Sequence, residues 1–230
     1  YIVFTATAFS LMGLRQLYFL IGGLLKKLVY LSLGLSVLLA RVTATDDIAV
    51  ATPIAGRGRA EIDQLIGMFV NTLVLRTRVR SGMSFAELID DVRATDLAAF
   101  GHADVPFERL VSELNPERST AHHPLFQVAL TVQPDQLAEL ARWAGSAEVL
   151  DARVPSAKYD VTVSVTDRTD RYDVEFAYAT DLFDDATVRD MARRLEFVLE
   201  QMVHEPSRSI GAIDLLRPDE MRTLAAPAWG

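Results

Sequence analysis

Residues 101–133 read GHADVPFERLVSELNPERSTAHHPLFQVALTVQ. Pro106 falls early in a short amphipathic helix, where its missing N–H removes no intrahelical bond, so Asp104 or Val105 belongs near the cap. Asn115 and Pro116 end that helix, and an apolar run, Leu125 to Val132, reads as a strand. Between helix and strand stand His122 and His123, adjacent in a chain with four histidines. A neutral imidazole exchanges a proton near pH 7, so the pair is the first candidate for a general base.

Composition bounds the alternatives. With 230 residues, half of them hydrophobic, the chain has material for one large domain or two small ones. No cysteine is present, which removes disulfides, zinc thiolates and thiol nucleophiles and fits a reducing, cytoplasmic compartment. Four scattered histidines offer no metal site. A net charge of -8 and a pI near 5.0 disfavour a phosphate backbone as partner, so nucleic acid is not expected.

The chain starts at Tyr1, consistent with a piece of a longer reading frame. Tyr1 to Ala40 is apolar but broken by Arg15, Gln16, Lys26 and Lys27, and its longest clean run, Leu28 to Ala40, is short of the ~20 residues a spanning helix requires. A buried core helix is expected there and a membrane anchor is not. Gly13, Gly22 and Gly23 make the pattern before Leu31 irregular, so residues 1–32 are left unassigned.

Working outward, Leu33 to Val42 has helical spacing, and Ile48 to Ile54 is a β-rich run stopped at Gly56 and Gly58. Ile66 to Val79 begins mixed and becomes an alternating strand with Leu73, Leu75, Thr77 and Val79 on one face. SFAE at 84–87 is a capping box for a helix ending near Gly101. A polar stretch around Ala141 to Val149 precedes two strands, Val161 to Thr166 and Tyr172 to Tyr178, joined by DRTDR. Asp184 caps a long helix with Val188, Met191, Leu195, Val198, Leu199 and Met202 in one stripe. The tail IGAIDLLRPDEMRTLAAPAWG reads as a linker with one short helix.

Four blocks in this order, DDIAVATPIAGRGRAEIDQLIGMFVNTLVLR, the 101–133 stretch, KYDVTVSV and FAYATDLFDDATVRDMARRLEFVL, resemble the condensation domains of nonribosomal peptide synthetases. The resemblance covers the second half of such a domain. It implies an α/β fold, a chloramphenicol-acetyltransferase-like lobe with a mixed sheet flanked by helices. The expected organisation is a C-terminal lobe over 33–208 and, over 209–230, a linker toward a following adenylation domain. The implied activity is amide formation between acyl and aminoacyl thioesters on carrier proteins. Those carriers deliver a phosphopantetheine arm, and no cofactor is bound directly. The N-terminal lobe and the adenylation domain of the parent chain are further implied partners. A non-catalytic carrier-docking module, or an epimerisation or cyclisation relative, is the alternative.

The family's catalytic motif is His-His, three variable residues, Asp, Gly, and it belongs to the first lobe. In HHPLFQV, Gln127 stands where Asp is required and Val128 where Gly is, and Pro124 leads straight into a strand. The pair is therefore read as structural, and no catalytic residue is assigned on this chain. Candidates for the substrate tunnel or family motifs are Gly67, Phe69, Asn71, Arg57, His102, Pro106, Arg118 and Pro124. Asn71 is a lone amide in an apolar strand and must find partners if buried. Arg57 is either a pantetheine-phosphate contact or a solvated turn. Arg118 and His102 are expected to fix loops by hydrogen bonds. Asp181 and Asp160 read as a turn residue and a strand-start anchor, and Phe126, Phe176, Tyr178, Met191 and Met202 as core.

Overall fold

The computed structural model describes residues 3–9, 23–55, 65–117, 119, 122–135, 157–168, 171–216 and 220–222. Six strands, β1 (Val3–Phe9), β2 (Asp47–Ala55), β3 (Val70–Arg78), β4 (Val128–Pro134), β5 (Val161–Asp167) and β6 (Tyr172–Tyr178), form one sheet in the order β1-β6-β5-β4-β2-β3. β2, β4 and β5 run parallel, and the remaining pairings are antiparallel. The sheet is mixed, as expected.

Among the described residues four α-helices accompany it: α1 (Leu24–Thr43), α2 (Phe85–Gly101), α3 (Phe107–Leu114) and α4 (Asp185–His204). The alternation in the strands decides where they sit. Ile48 and Val50 of β2, Leu73 and Leu75 of β3, and Val161, Val163 and Val165 of β5 point to one face and join a core with Leu33, Leu35 and Leu38 of α1 and the α4 stripe. Fully burying each such side chain is worth about 1.5–3 kcal/mol, so this face dominates stability. The opposite face carries Ala49, Ala51, Val74 and Ala129 and forms a smaller cluster around Phe126.

Local sequence signals set the helix ends. Ser84 Oγ accepts the Glu87 N–H and Glu87 Oε2 accepts the Ser84 N–H, completing the capping box. Asp184 Oδ1 accepts the Thr187 N–H at 2.7 Å at the start of α4.

Several expectations are revised. The first forty residues are not one helix: residues 3–9 are a strand on the sheet's edge, and α1 begins at Leu24 rather than Leu33. Gly23, with φ 94°, precedes α1 without a side-chain cap, so no polar capping signal marks the start. Lys27 does not interrupt a hydrophobic span; it pairs with Asp167 and lies over the Tyr172 ring. Among the described residues no helix is long and apolar enough to cross a membrane. Packed structure also continues past residue 208. Ile210 and Ile213 are buried, and the Ile210 and Gly211 N–H groups donate to Met83 and Ser81 carbonyls. The polar stretch at 141–149 lies outside the described residues.

Candidate functional site

The side-chain cluster on the sheet face opposite the main core grows from the 101–133 stretch. Pro106 occupies the cap position of α3, one place earlier than expected, and Asn115, with φ 40°, ends the helix in the left-handed region. No residue of α3 is fully buried, so the helix needs an anchor, and Asn71 on β3 supplies it. Asn71 Nδ2 donates to the carbonyls of Ala103 (2.9 Å) and Val105 (2.7 Å), while its Oδ1 accepts the N–H groups of Thr72 and Phe107. Both amide hydrogens are used, and the oxygen caps a helix on another element. The side chain is thus engaged with the main chain.

His123 packs into rings. Its ring centroid lies 4.0 Å from Phe126, 5.3 Å from Phe107 and 5.5 Å from Tyr159, the last edge-on. Phe126 in turn lies 4.9 Å from Tyr159 and is 1% exposed. His123 Nδ1 is buried without a hydrogen-bond partner. Burial first, and the charge of Lys158 second, hold the His123 pKa below its ordinary value. At neutral pH this imidazole is an uncharged aromatic wall. His122 is exposed, its Nδ1 3.4 Å from the His123 carbonyl.

The rings of Phe107, His123 and Tyr159 wall a cleft of about 440 Å³ with Val70, Val111 and Pro124, and with Asn71, Thr72, Glu108 and Lys158 as polar lining. A second cleft, about 380 Å³, lies along the other flank of α3 and shares Glu108, Val111 and Pro124 with the first. Lys158 also stands 5.2 Å from the Tyr159 ring. The size and the mixture of aromatic walls with an equal share of polar side chains suit a small organic group that carries both kinds of surface. Among the described residues no cluster of His, Asp and Glu has the make-up of a metal site.

Of the expected site residues, the structure brings Asn71 and Pro124 to the first cleft. Gly67 and Phe69 precede β3; a Cβ at Gly67 would stand 3.1 Å from the Phe69 ring. His102 departs from expectation: its backbone, not its imidazole, fixes the loop, with its N–H on Ala99 and its carbonyl accepting the Val105 N–H. Arg57 and Arg118 lie outside the described residues. Asp160 anchors through its carbonyl, which accepts the Ala179 N–H. Phe176, Tyr178, Met191 and Met202 are core, as expected. Sequence reasoning missed Phe107, Glu108, Val111, Lys158 and Tyr159; each sits in a quoted block, but nothing local shows that the blocks converge.

The Condensation domain family model matches residues 29–225. A dimodular nonribosomal peptide synthase of Bacillus subtilis is 42% identical over 193 residues, covering 81% of this chain and 8% of the relative. The crystal structure of a four-domain nonribosomal peptide synthetase bound to AMP and glycine superposes with a TM-score of 0.81 at 21% identity, over 94% of this chain and 18% of that one. The X-domain from teicoplanin biosynthesis gives a TM-score of 0.70 at 29% identity, over 82% of this chain and 44% of that one. The chain thus spans well under two thirds of the length of each of these three proteins. The family match across most of its length, with the mixed sheet and its flanking helices, makes this chain a member of the condensation-domain family of nonribosomal peptide synthetases, with the chloramphenicol-acetyltransferase-like fold.

Proposed function

We propose that this chain is the C-terminal lobe of a condensation domain that joins carrier-bound acyl and aminoacyl groups as an amide. The acceptor amine attacks the donor thioester carbon, the C–N bond forms, the C–S bond breaks, and the thiol of the phosphopantetheine arm leaves with the amine's proton. The base that takes this proton is assigned to the N-terminal lobe of the parent chain. The observation that carries the reading is His123: its only adjacent-histidine motif sits in a ring cluster, with Gln127 and Val128 in place of the family's Asp and Gly. A base needs a fixed hydrogen bond and access to the reacting proton, and a buried, unpartnered Nδ1 has neither.

The half-domain reading draws support from exposed apolar groups before and at the start of β3. Leu65, Ile66, Met68 and Val70 face solvent, with Met68 92% exposed, a concentration that marks an interface. The N-terminal lobe is the proposed occupant, since the chain covers 44% of the X-domain structure. The lobe takes in 33–208 together with β1, the start of α1 and the buried Ile210 and Ile213, and the rest of 209–230 leads toward an adenylation domain. Carrier proteins are the substrate-bearing partners, and the assembly works in the cytoplasm.

The test is amide formation between glycyl-loaded donor and acceptor carrier proteins, whose groups carry no side chain, by the two-lobed parent, beside its His122→Ala/His123→Ala variant. Product from the parent, with a variant rate within about threefold when compared at matched folded fraction, supports the reading. Loss of product in the variant at that folded fraction returns catalysis to HHPLFQV. A parent that binds loaded carriers without making amide favours a docking module.

A further inference from the structure

We propose that the aromatic cleft beside α3 is a side-chain pocket that takes the aromatic or large aliphatic side chain of a carrier-delivered aminoacyl group; this rests on the condensation reading above. Four observations lead to it. The cleft, about 440 Å³, lies in the range of small-molecule sites. Its walls are Phe107, His123, Tyr159, Val70, Val111 and Pro124, and an apolar group transferred there leaves water. The rings brace one another at 4.0–5.8 Å over the buried Phe126, and Asn71 fixes the start of α3, so the pocket is formed before anything enters it. His123 is uncharged at neutral pH, so filling the cleft desolvates no cation on that wall.

The lining also carries Glu108 and Lys158, both exposed and neither in an ion pair among the described residues. Ring walls on one side, with Asn71, Thr72, one carboxylate and one ammonium on the other, match an aminoacyl group, whose side chain adjoins an amine and a carbonyl. A glycyl group would leave the rings unfilled. Val111, half-buried and shared by both clefts, is the residue whose size sets the depth.

The experiment uses the two-lobed parent with Val111→Phe and Val111→Ala variants, and phenylalanyl or glycyl carriers offered in competition, as donor and as acceptor. Val111→Phe should lower the phenylalanyl-to-glycyl ratio of kcat/KM at least tenfold in one of the two positions, while Val111→Ala leaves or raises it. Arg93→Ala, on the exposed side of α2, should leave the ratio unchanged. A ratio within twofold of wild type for both Val111 variants in both positions overturns the pocket. A second readout needs no turnover: phenylalanyl-pantetheine amide should bind the parent at least fivefold tighter than the glycyl amide, and Val111→Phe should erase that preference. No amide product with this preference intact overturns the condensation reading and keeps the pocket; product formation without the preference and without a ratio shift overturns the pocket alone.

Discussion

Asn71 caps α3 from a different element: its Oδ1 accepts the Phe107 N–H at 3.1 Å across 36 residues of sequence. The same amide ties down the Ala103 and Val105 carbonyls, so one side chain on β3 holds the whole entry to the helix that borders both clefts. Asn71→Ala strands these backbone groups in a half-buried site, and a loss of about 2–3 kcal/mol in urea unfolding is expected. Asn71→Asp should not rescue it, because a carboxylate then faces two carbonyl oxygens. A loss under about 0.5 kcal/mol for Asn71→Ala would show that α3 holds its place without this anchor.

Gly34 of α1 faces Leu199 of α4, and a Cβ there would clash with the Leu199 side chain and approach Leu195. Gly to Ala inside a helix gains about 1 kcal/mol in propensity, but overpacking a tight core costs about 1–3 kcal/mol. Gly34→Ala is expected to destabilise by up to about 2 kcal/mol. In a double-mutant cycle with Leu199→Ala the two losses should be clearly less than additive, since the second change makes room for the first. Additive losses would mean the α1–α4 contact is looser than it stands in the structure.

The helix ends were legible because their signals are local: Ser84 with Glu87, and Asp184 with Thr187, lie three residues apart. The alternation of Leu73, Leu75 and Thr77 likewise gave the buried face of β3. What escaped was set by distant partners. Gly23 offers no polar cap to announce α1, and the edge pairing of β1 with β6 joins Val3 to Ala177. The cleft draws on Val70, Val111, His123 and Lys158, whose convergence depends on β2, β4 and β5 lying parallel side by side. His102 misled because a histidine at a helix end suggests a side-chain role, whereas its backbone alone is used.

Two titratable groups, Asp96 buried and His123 half-buried, should move stability in opposite directions with pH. Asp96 on α2 is 1% exposed, receives one long hydrogen bond from Ser32, and is pushed by burial up to about 6. The folded state keeps this proton up to about pH 6, whereas an unfolded aspartate loses it near 3.8. Between those values the native state binds more protons, so stability falls as pH rises, by about 2–3 kcal/mol in total, and then levels off. Asp96→Asn should flatten this arm and stabilise the protein at pH 7 by about 1–2 kcal/mol. Urea midpoints at pH 4 to 8 check it, and a variant less stable than wild type at pH 7 refutes the charge-burial account.

His123 supplies the opposite arm. Its folded pKa is lowered, chiefly by burial, so below the ordinary 6.5 the unfolded state takes up a proton that the folded state refuses. Stability from this group rises with pH up to about 6.5 and is then constant. His123→Phe should remove the rise while keeping ring contacts to Phe126 and Phe107. In an Asp96→Asn background, His123→Phe should leave urea midpoints nearly flat from pH 5 to 7; a persistent rise with pH would assign the titration to another group.

The apolar residues before β3 should govern how the isolated chain behaves. Ile66 is fully exposed and Met68 nearly so, with Leu65 and Val70 beside them. Most of their surface is apolar, and pairing two copies removes it from water at roughly 25 cal/mol per Å². β3 lies at the sheet's edge, with β2 as its one partner strand among the described residues, so its free side is also open to a neighbour. The 230-residue chain is therefore expected to self-associate and to bind a hydrophobic dye. Ile66→Ser with Met68→Ser should reduce both, without changing the unfolding midpoint by more than about 0.5 kcal/mol, because neither side chain contributes to the core. In the two-lobed parent the same double substitution should weaken the contact between lobes, read as increased protease cleavage between them. Sedimentation velocity separates the cases: a wild-type chain that stays monomeric, with dye binding equal to that of the double variant, would mean this surface needs no cover.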